Sequence, residues 1–242
     1  MTVAALQVVD LHARYAHVQV LNGVSLYAMA GEVVVILGRN DSGRRATLCA
    51  IIGQVETRQG SIRIIGKETI HNDCDDITHL GLSFVPTHGG IYPNLTCEEN
   101  LLLPMVEGDT LGGAMSLTQI YELCPDLNTL RQTLGARLSH AEQRMLAIAR
   151  MLRTGANVLL MDDITDGLAP VMTQAFLNII LNLKRLGYTI VMGEPNIEFC
   201  AQLADRFYVM QDGQVTDTFT QHELAARQET LHALLADTYE SY

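Results

Sequence analysis

The stretch ILGRNDSGRRAT, residues 36–47, follows directly on the apolar run EVVVIL. A continuous β-branched run reads as a strand buried on both faces. Gly38 and Gly43 are then separated by four residues, and the sequence from about Gly43 to Ile52 reads as a helix. Strand, glycine-bounded loop and helix in that order match the frame G-x-x-x-x-G-K-[ST]. There, backbone N–H groups at a helix N-terminus wrap phosphate.

The chemistry-bearing positions of that frame differ here. Arg44 stands where Lys reaches between the β- and γ-phosphates, and Arg45 where a Ser/Thr hydroxyl ligates magnesium. Arg44 keeps the charge but carries it on a larger planar fork. Arg45 has no acceptor to offer a metal. Asp41 brings a carboxylate close to any bound polyphosphate. Taken alone, the stretch fits a strand-to-helix turn that binds nothing as well as it fits a phosphate cradle.

Upstream, LQVVDLHARY and QVLNGVSLYAMAGE alternate in polarity, which predicts antiparallel strands with turns at Asn22-Gly23 and Gly31. Downstream, GSIRIIGKE and LSFVP read as strands. From about Gly89 to Arg137 the pattern becomes helical: LTCEENLLLPM and SLTQIYELCPDL, with Gly108, Gly112 and Gly113 in the loops between them. The α/β alternation then resumes. SHAEQRMLAIARMLR is a helix with Met145, Ile148, Ala149 and Leu152 on one face, and NVLLMDD is a strand. PVMTQAFLNIILNLKRLG is a helix with Pro170 in its first turn and Gly187 past its end. YTIVMGE is a strand, RFYVMQDGQVTDTF a hairpin turning at Asp212-Gly213, and TQHELAARQETLHALLA a closing helix.

The chain has 242 residues, 48% of them hydrophobic, enough for one or two joined lobes with a large core. Its net charge of −11 argues against nucleic-acid binding and against adsorption to an anionic membrane surface. Five scattered cysteines without a C-x-x-C pair predict buried thiols in a reducing compartment. No apolar run approaches the ~18–20 residues that span a bilayer, so no direct membrane insertion is expected.

Two further stretches carry chemistry. VLLMDD, residues 158–163, is an apolar strand ending in two acids. In P-loop ATPases the first such acid holds magnesium and a following one orients the attacking water, which fits Asp162 and Asp163. A strand closed by acidic turn residues is the plainer alternative. LSHAEQR, residues 138–144, opens a helix, and Ser139 with Glu142 forms an S-x-x-E capping box.

The series ARYAHVQVLNGVSL, the phosphate loop, FVPTHGGIYPNLTCEENL, LSHAEQRMLAIAR, VLLMDDITDGLAP and TIVMGEPN resembles the ATP-binding subunits of ABC transporters. It most resembles the branched-chain amino-acid importer type, through EENL, MLAIAR and GLAP. The resemblance spans nearly the whole chain and implies an α/β fold, a P-loop NTPase (RecA-like) core with an antiparallel β subdomain and a helical insertion. It implies one nucleotide-binding domain over 1–242, with a core lobe at 1–88 and 138–242 and a helical subdomain at 89–137. Tyr15 would stack on adenine. Gly38, Arg39, Asn40, Asp41, Ser42, Gly43, Arg44, Arg45 and Ala46 would hold the phosphates. Ser139, His140, Ala141 and Glu142 would close over the nucleotide of an opposite subunit. The implied cofactors are ATP and magnesium; the implied partners are a second ABC subunit and transmembrane permease subunits. The chain would lie in the cytoplasm, on the inner face of the cell membrane.

The catalytic positions depart from that family's pattern. Thr87 replaces a metal-sensing Gln or Glu, His140 and Ala141 replace glycines, Asp163 replaces a catalytic Glu, and Pro195 replaces a His or Gln that contacts the γ-phosphate. Losing metal ligand, general base and γ-phosphate contact together removes most of the electrostatic stabilisation of phosphoryl transfer, and puts magnesium itself in doubt. The scaffold positions are intact. The expectation is a catalytically impaired partner subunit. An active importer ATPase and a cytoplasmic regulatory protein outside any transporter remain open alternatives.

Overall fold

The computed structural model describes residues 3–103 and 113–236, so Gly108, Gly112 and the end of LTCEENLLLPM lie outside it. Two sheets organise these residues. The strands are β1 (Ala4–Tyr15), β2 (Val18–Met29), β3 (Val33–Leu37), β4 (Thr57–Ile64), β5 (Lys67–Glu68), β6 (Leu82–Val85), β7 (Val158–Asp162), β8 (Thr189–Gly193), β9 (Arg206–Gln211) and β10 (Gln214–Thr220). The helices are α1 (Arg44–Ile51), α2 (Cys74–His79), α3 (Cys97–Leu102), α4 (Leu117–Leu123), α5 (Pro125–Thr129), α6 (His140–Arg153), α7 (Pro170–Arg185), α8 (Ile197–Cys200) and α9 (Leu224–Ala236).

The larger sheet has the order β10-β9-β3-β8-β7-β6. β9, β3, β8, β7 and β6 pair in parallel, and β10 is an antiparallel edge. All residues of β3, β7 and β8 are buried, as their unbroken apolar runs predict for strands covered on both faces. The smaller sheet, β2-β1-β4-β5, is wholly antiparallel. It shares a core with α1, through Leu48, Ala50 and Ile51 packed among Leu6, Leu11, Leu21 and Val24.

One turn falls elsewhere than expected. Asn22-Gly23 is not a hairpin turn; β2 runs through it, and the chain reverses at Ala16 and His17. Gly23 adopts φ 80° within the strand, beside register shifts in the β1–β2 ladder. Asn22 instead grips another turn. Its backbone N–H donates to the Gly213 carbonyl at 2.9 Å and its side-chain amide to the Asp212 carbonyl at 3.2 Å. The Asp212-Gly213 turn is where predicted, with φ 47° and 74°, the left-handed pair of a tight hairpin.

α6 is the spine joining the helical segment to the sheet. Met145, Ile148, Ala149 and Leu152 are buried as expected, but so are Leu146, Ala147 and Met151. The helix is therefore enclosed on more than one face. Its N-terminus has the predicted capping box: Glu142 N–H donates to Ser139 Oγ at 3.3 Å and Ser139 N–H to the Glu142 carboxylate at 2.7 Å. All five cysteines are unpaired, four of them buried. Among the described residues no helix is long and apolar enough to cross a membrane.

Candidate functional site

The loop between β3 and α1 lies at the carboxyl end of the parallel sheet, where open α/β folds place ligands. Its tip, Arg39, Asn40 and Asp41, is exposed; Gly38 and Ser42 are buried, and Gly43 and Ala46 half-buried. Asp41 and Gly43 take left-handed φ values of 65° and 104°, and Ser42 N–H donates to the Arg39 carbonyl at 3.2 Å. A Cβ at Gly38 would collide with Ser42 Oγ and the Met210 carbonyl, and one at Gly43 would stand 3.0 Å from Gly213 Cα. The glycine frame is thus demanded by close packing against the β9–β10 turn, whose Gly213 N–H donates to the Ser42 carbonyl at 2.9 Å. Gly43 caps α1 without any side-chain bond. The first-turn N–H groups of that helix have no carbonyl a turn behind them within it, and remain donors for an anion.

Arg44 and Arg45 leave the loop in different directions. Arg44 is only 6% exposed. Its Nε and Nη1 are buried without a hydrogen-bond partner, as is Ser42 Oγ. Gly193, at the end of β8, gives its side chain room: a Cβ there would lie 3.5 Å from both Arg44 Cβ and Asp162 Oδ1. Burial raises the pKa of Asp163, Glu194 and Cys200, and the Arg44 charge works against that rise at each. Arg45 is 65% exposed along its side chain, with Nε 3.7 Å from Asp162 Oδ2.

Asp162 is buried at the end of β7. The same Oδ2 that faces Arg45 also accepts from the Thr87 hydroxyl at 2.7 Å. The structure therefore brings Arg45, Thr87 and Asp162 together. The next residue, Asp163, sits at φ 48°. Its Oδ1 is buried and unpartnered, and burial raises its pKa against the pull of Arg44. Glu194 is fully buried, and desolvation, reinforced by the neighbouring Asp163 charge, pushes its carboxyl up to about 8. Thr165 supports it by donating from N–H at 3.1 Å and from Oγ1 at 2.7 Å. Pro195, next in the chain, is half-buried.

At the loop's other edge, Tyr15 ends β1. Its hydroxyl, pushed up to about 12 chiefly by burial, meets the Cys49 thiol, which also interacts with Arg45. Ser139 and His140 at the start of α6 are exposed, and Ala141 is half-buried. Several contributors were missed in the sequence: Cys49, Glu194, Gly193 and above all Arg144. The Arg144 guanidinium donates to the carbonyls of Ile164 at 2.7 Å, Asp166 at 2.8 Å and Thr87 at 3.2 Å. It ties the start of α6 to both loops flanking the acids. Its signal was available, since Arg144 falls one turn before Ile148 on the buried stripe of α6, where an arginine needs partners.

The loop fits a phosphate group: orphan helix N–H groups, buried unpartnered donors on Ser42 and Arg44, and glycines packed to hold its path. It does not fit magnesium. The position that offers a metal a hydroxyl is a guanidinium, and the acid expected to hold the ion already accepts from the Thr87 hydroxyl and is ion-paired with Arg45.

These features define an ATP-binding cassette of the P-loop class. Residues 21–166 match the ABC transporter family, and the chain belongs to it. It is 32% identical over 201 residues to the high-affinity branched-chain amino acid transport ATP-binding protein BraG of Pseudomonas aeruginosa, covering 83% of this chain and 86% of that protein. It is 28% identical over 220 residues to the probable branched-chain amino acid transport ATP-binding protein LivF of Archaeoglobus fulgidus, covering 90% and 93%. Among solved structures, a nucleotide-free ATP-binding cassette from an ABC transporter superposes with a TM-score of 0.84 at 21% identity, covering 99% of this chain and all of that one.

Proposed function

We propose that this chain is the catalytically silent half of an ABC importer's ATPase pair. It binds nucleotide at residues 38–46, pairs with a competent ABC subunit, and seats under permease subunits that move branched-chain amino acids or chemically related amides. The substrate class rests on the likeness to BraG and LivF. The silence rests on one observation above the others: the Asp162 carboxylate is engaged by Arg45 and Thr87 instead of standing ready for a metal.

Other features support the same reading. Arg44 is buried beside Asp163 and Glu194, which share its charge, and Asp163 presents a shorter arm than the Glu it replaces. Each of these weakens a different part of one machine, and parts that act as a unit fail together. Pairing is supported by the exposed start of α6 at Ser139 and His140, where a second subunit's phosphates would lie. Permease docking is supported by Tyr92 and Leu103, exposed by 53% and 43%, in a groove of about 900 Å³ that also takes in Arg45 and Cys49.

Hydrolysis by the purified chain tests the reading. The expected result is no magnesium-dependent phosphate release above buffer. Steady turnover that vanishes in Asp163→Ala overturns it in favour of an ordinary importer ATPase.

A further inference from the structure

We propose that Arg45 does the work of the divalent cation, so that this chain holds a nucleoside triphosphate free of metal. The inference rests on the reading of residues 38–46 as a nucleotide cradle, and goes beyond it by naming the ionic form of the ligand.

A buried carboxylate needs a compensating charge or several donors. Asp162 is 4% exposed and has both: the Thr87 hydroxyl at 2.7 Å and the Arg45 Nε at 3.7 Å, on one oxygen. A metal arriving there would have to displace a cation from its acid while standing beside a second one, Arg44. Nothing in the immediate donor set rewards that exchange, because neither arginine can ligate.

A triphosphate meets the opposite situation. Arg45 springs from the first turn of α1, next to the helix's orphan N–H groups, and its side chain is 65% exposed, with its guanidinium beside Asp162 and the Cys49 thiol. Asp162 engages it through Nε, and the two terminal nitrogens of the fork match phosphate oxygens in a bidentate contact. The guanidinium would thus bridge acid and phosphate, the charge-linking role a divalent cation would otherwise supply. The buried donors of Arg44 and Ser42 add positive potential beneath the loop. The exposed carboxylate of Asp41 works against binding, and one guanidinium carries half the charge of the ion it replaces. The chain therefore binds less tightly than a metal-dependent cassette, but without the metal.

Isothermal titration of ATP into the full purified chain, in excess EDTA and again in excess magnesium, tests this directly. The expected dissociation constants agree within about threefold, while Arg45→Ser weakens binding in EDTA by about tenfold or more and makes it improve with magnesium. Arg45→Lys, which keeps the charge at the same exposed position, is expected to retain binding in EDTA. Melting curves of all three proteins establish that they are folded. Wild-type binding that tightens about tenfold or more on adding magnesium overturns the proposal. So does the absence of binding under both conditions, an outcome that leaves the partner-subunit reading standing on its own hydrolysis test.

Discussion

Arg44 and Arg45 are neighbours with the same charge, yet one is 6% exposed and the other 65% exposed along its side chain beside Asp162. A helix turns about 100° per residue, so adjacent positions point to different environments. Arg44 faces Asp163 and Glu194, and the second of these acids makes a prediction. Glu194 is pushed up to about 8 from an ordinary value of 4.5. The folded chain therefore keeps a proton that the unfolded chain gives up between those values, and stability falls as pH rises across that window. Glu194→Gln does not titrate, and its amide can meet both donor and acceptor atoms of Thr165. Its melting temperature is expected roughly 3–6 °C above wild type at about pH 8.5, with no advantage at about pH 5. An advantage of equal size at both pH values would contradict the assignment.

At the scale of elements, α6 carries the connections. Arg144 reaches the loops holding Thr87, Ile164 and Asp166; Arg150 donates to the carbonyls of Asn100 and Gly90 and lies over the Tyr92 ring; Arg153 donates to those of Leu101 and Met115. Each arginine gives these carbonyls a charged donor. Arg144→Ala is expected to cost about 1–3 kcal/mol for the acceptors it strands, read as a lower urea midpoint with unchanged slope. Arg144→Lys should recover only part of that loss, because an ammonium cannot span three carbonyls as the fork does. Full recovery by Lys would mean that charge, not geometry, matters there.

Much of this was legible in the sequence, for physical reasons. EVVVIL and VLLMDD were readable as buried strands because parallel strands covered on both faces need unbroken apolar runs. The caps at Ser139 and Gly187 follow local rules. Asn22-Gly23 misled because that dipeptide is a strong hairpin signal, and only the fold shows it gripping the Asp212-Gly213 turn. The Arg45–Asp162 pair and the inward course of Arg44 were hidden for a different reason. Both depend on contacts between distant parts of the chain, and in both cases residue type predicted charge but not direction.

At the scale of the whole molecule, the two sheets and α6 form a frame that the replaced catalytic residues leave undisturbed. The proposed pairing sets the start of one subunit's α6 against the other's phosphate loop. In a pair of identical chains, both sites would combine Arg45 with His140 and Ala141, whose side chains stand where glycines allow close approach. The chain alone is therefore expected to stay monomeric with ATP in light scattering, and to form a nucleotide-dependent heterodimer with a competent ABC subunit. A stable ATP-dependent homodimer would contradict this.

A nucleotide cradle that survives without serving hydrolysis is tested most directly by the ATPase rate of the assembled transporter carrying Asp163→Ala in this chain alone. The expected rate is within about twofold of wild type, because turnover belongs to the acid of the competent subunit. A fall of about tenfold or more, with assembly intact, would contradict it.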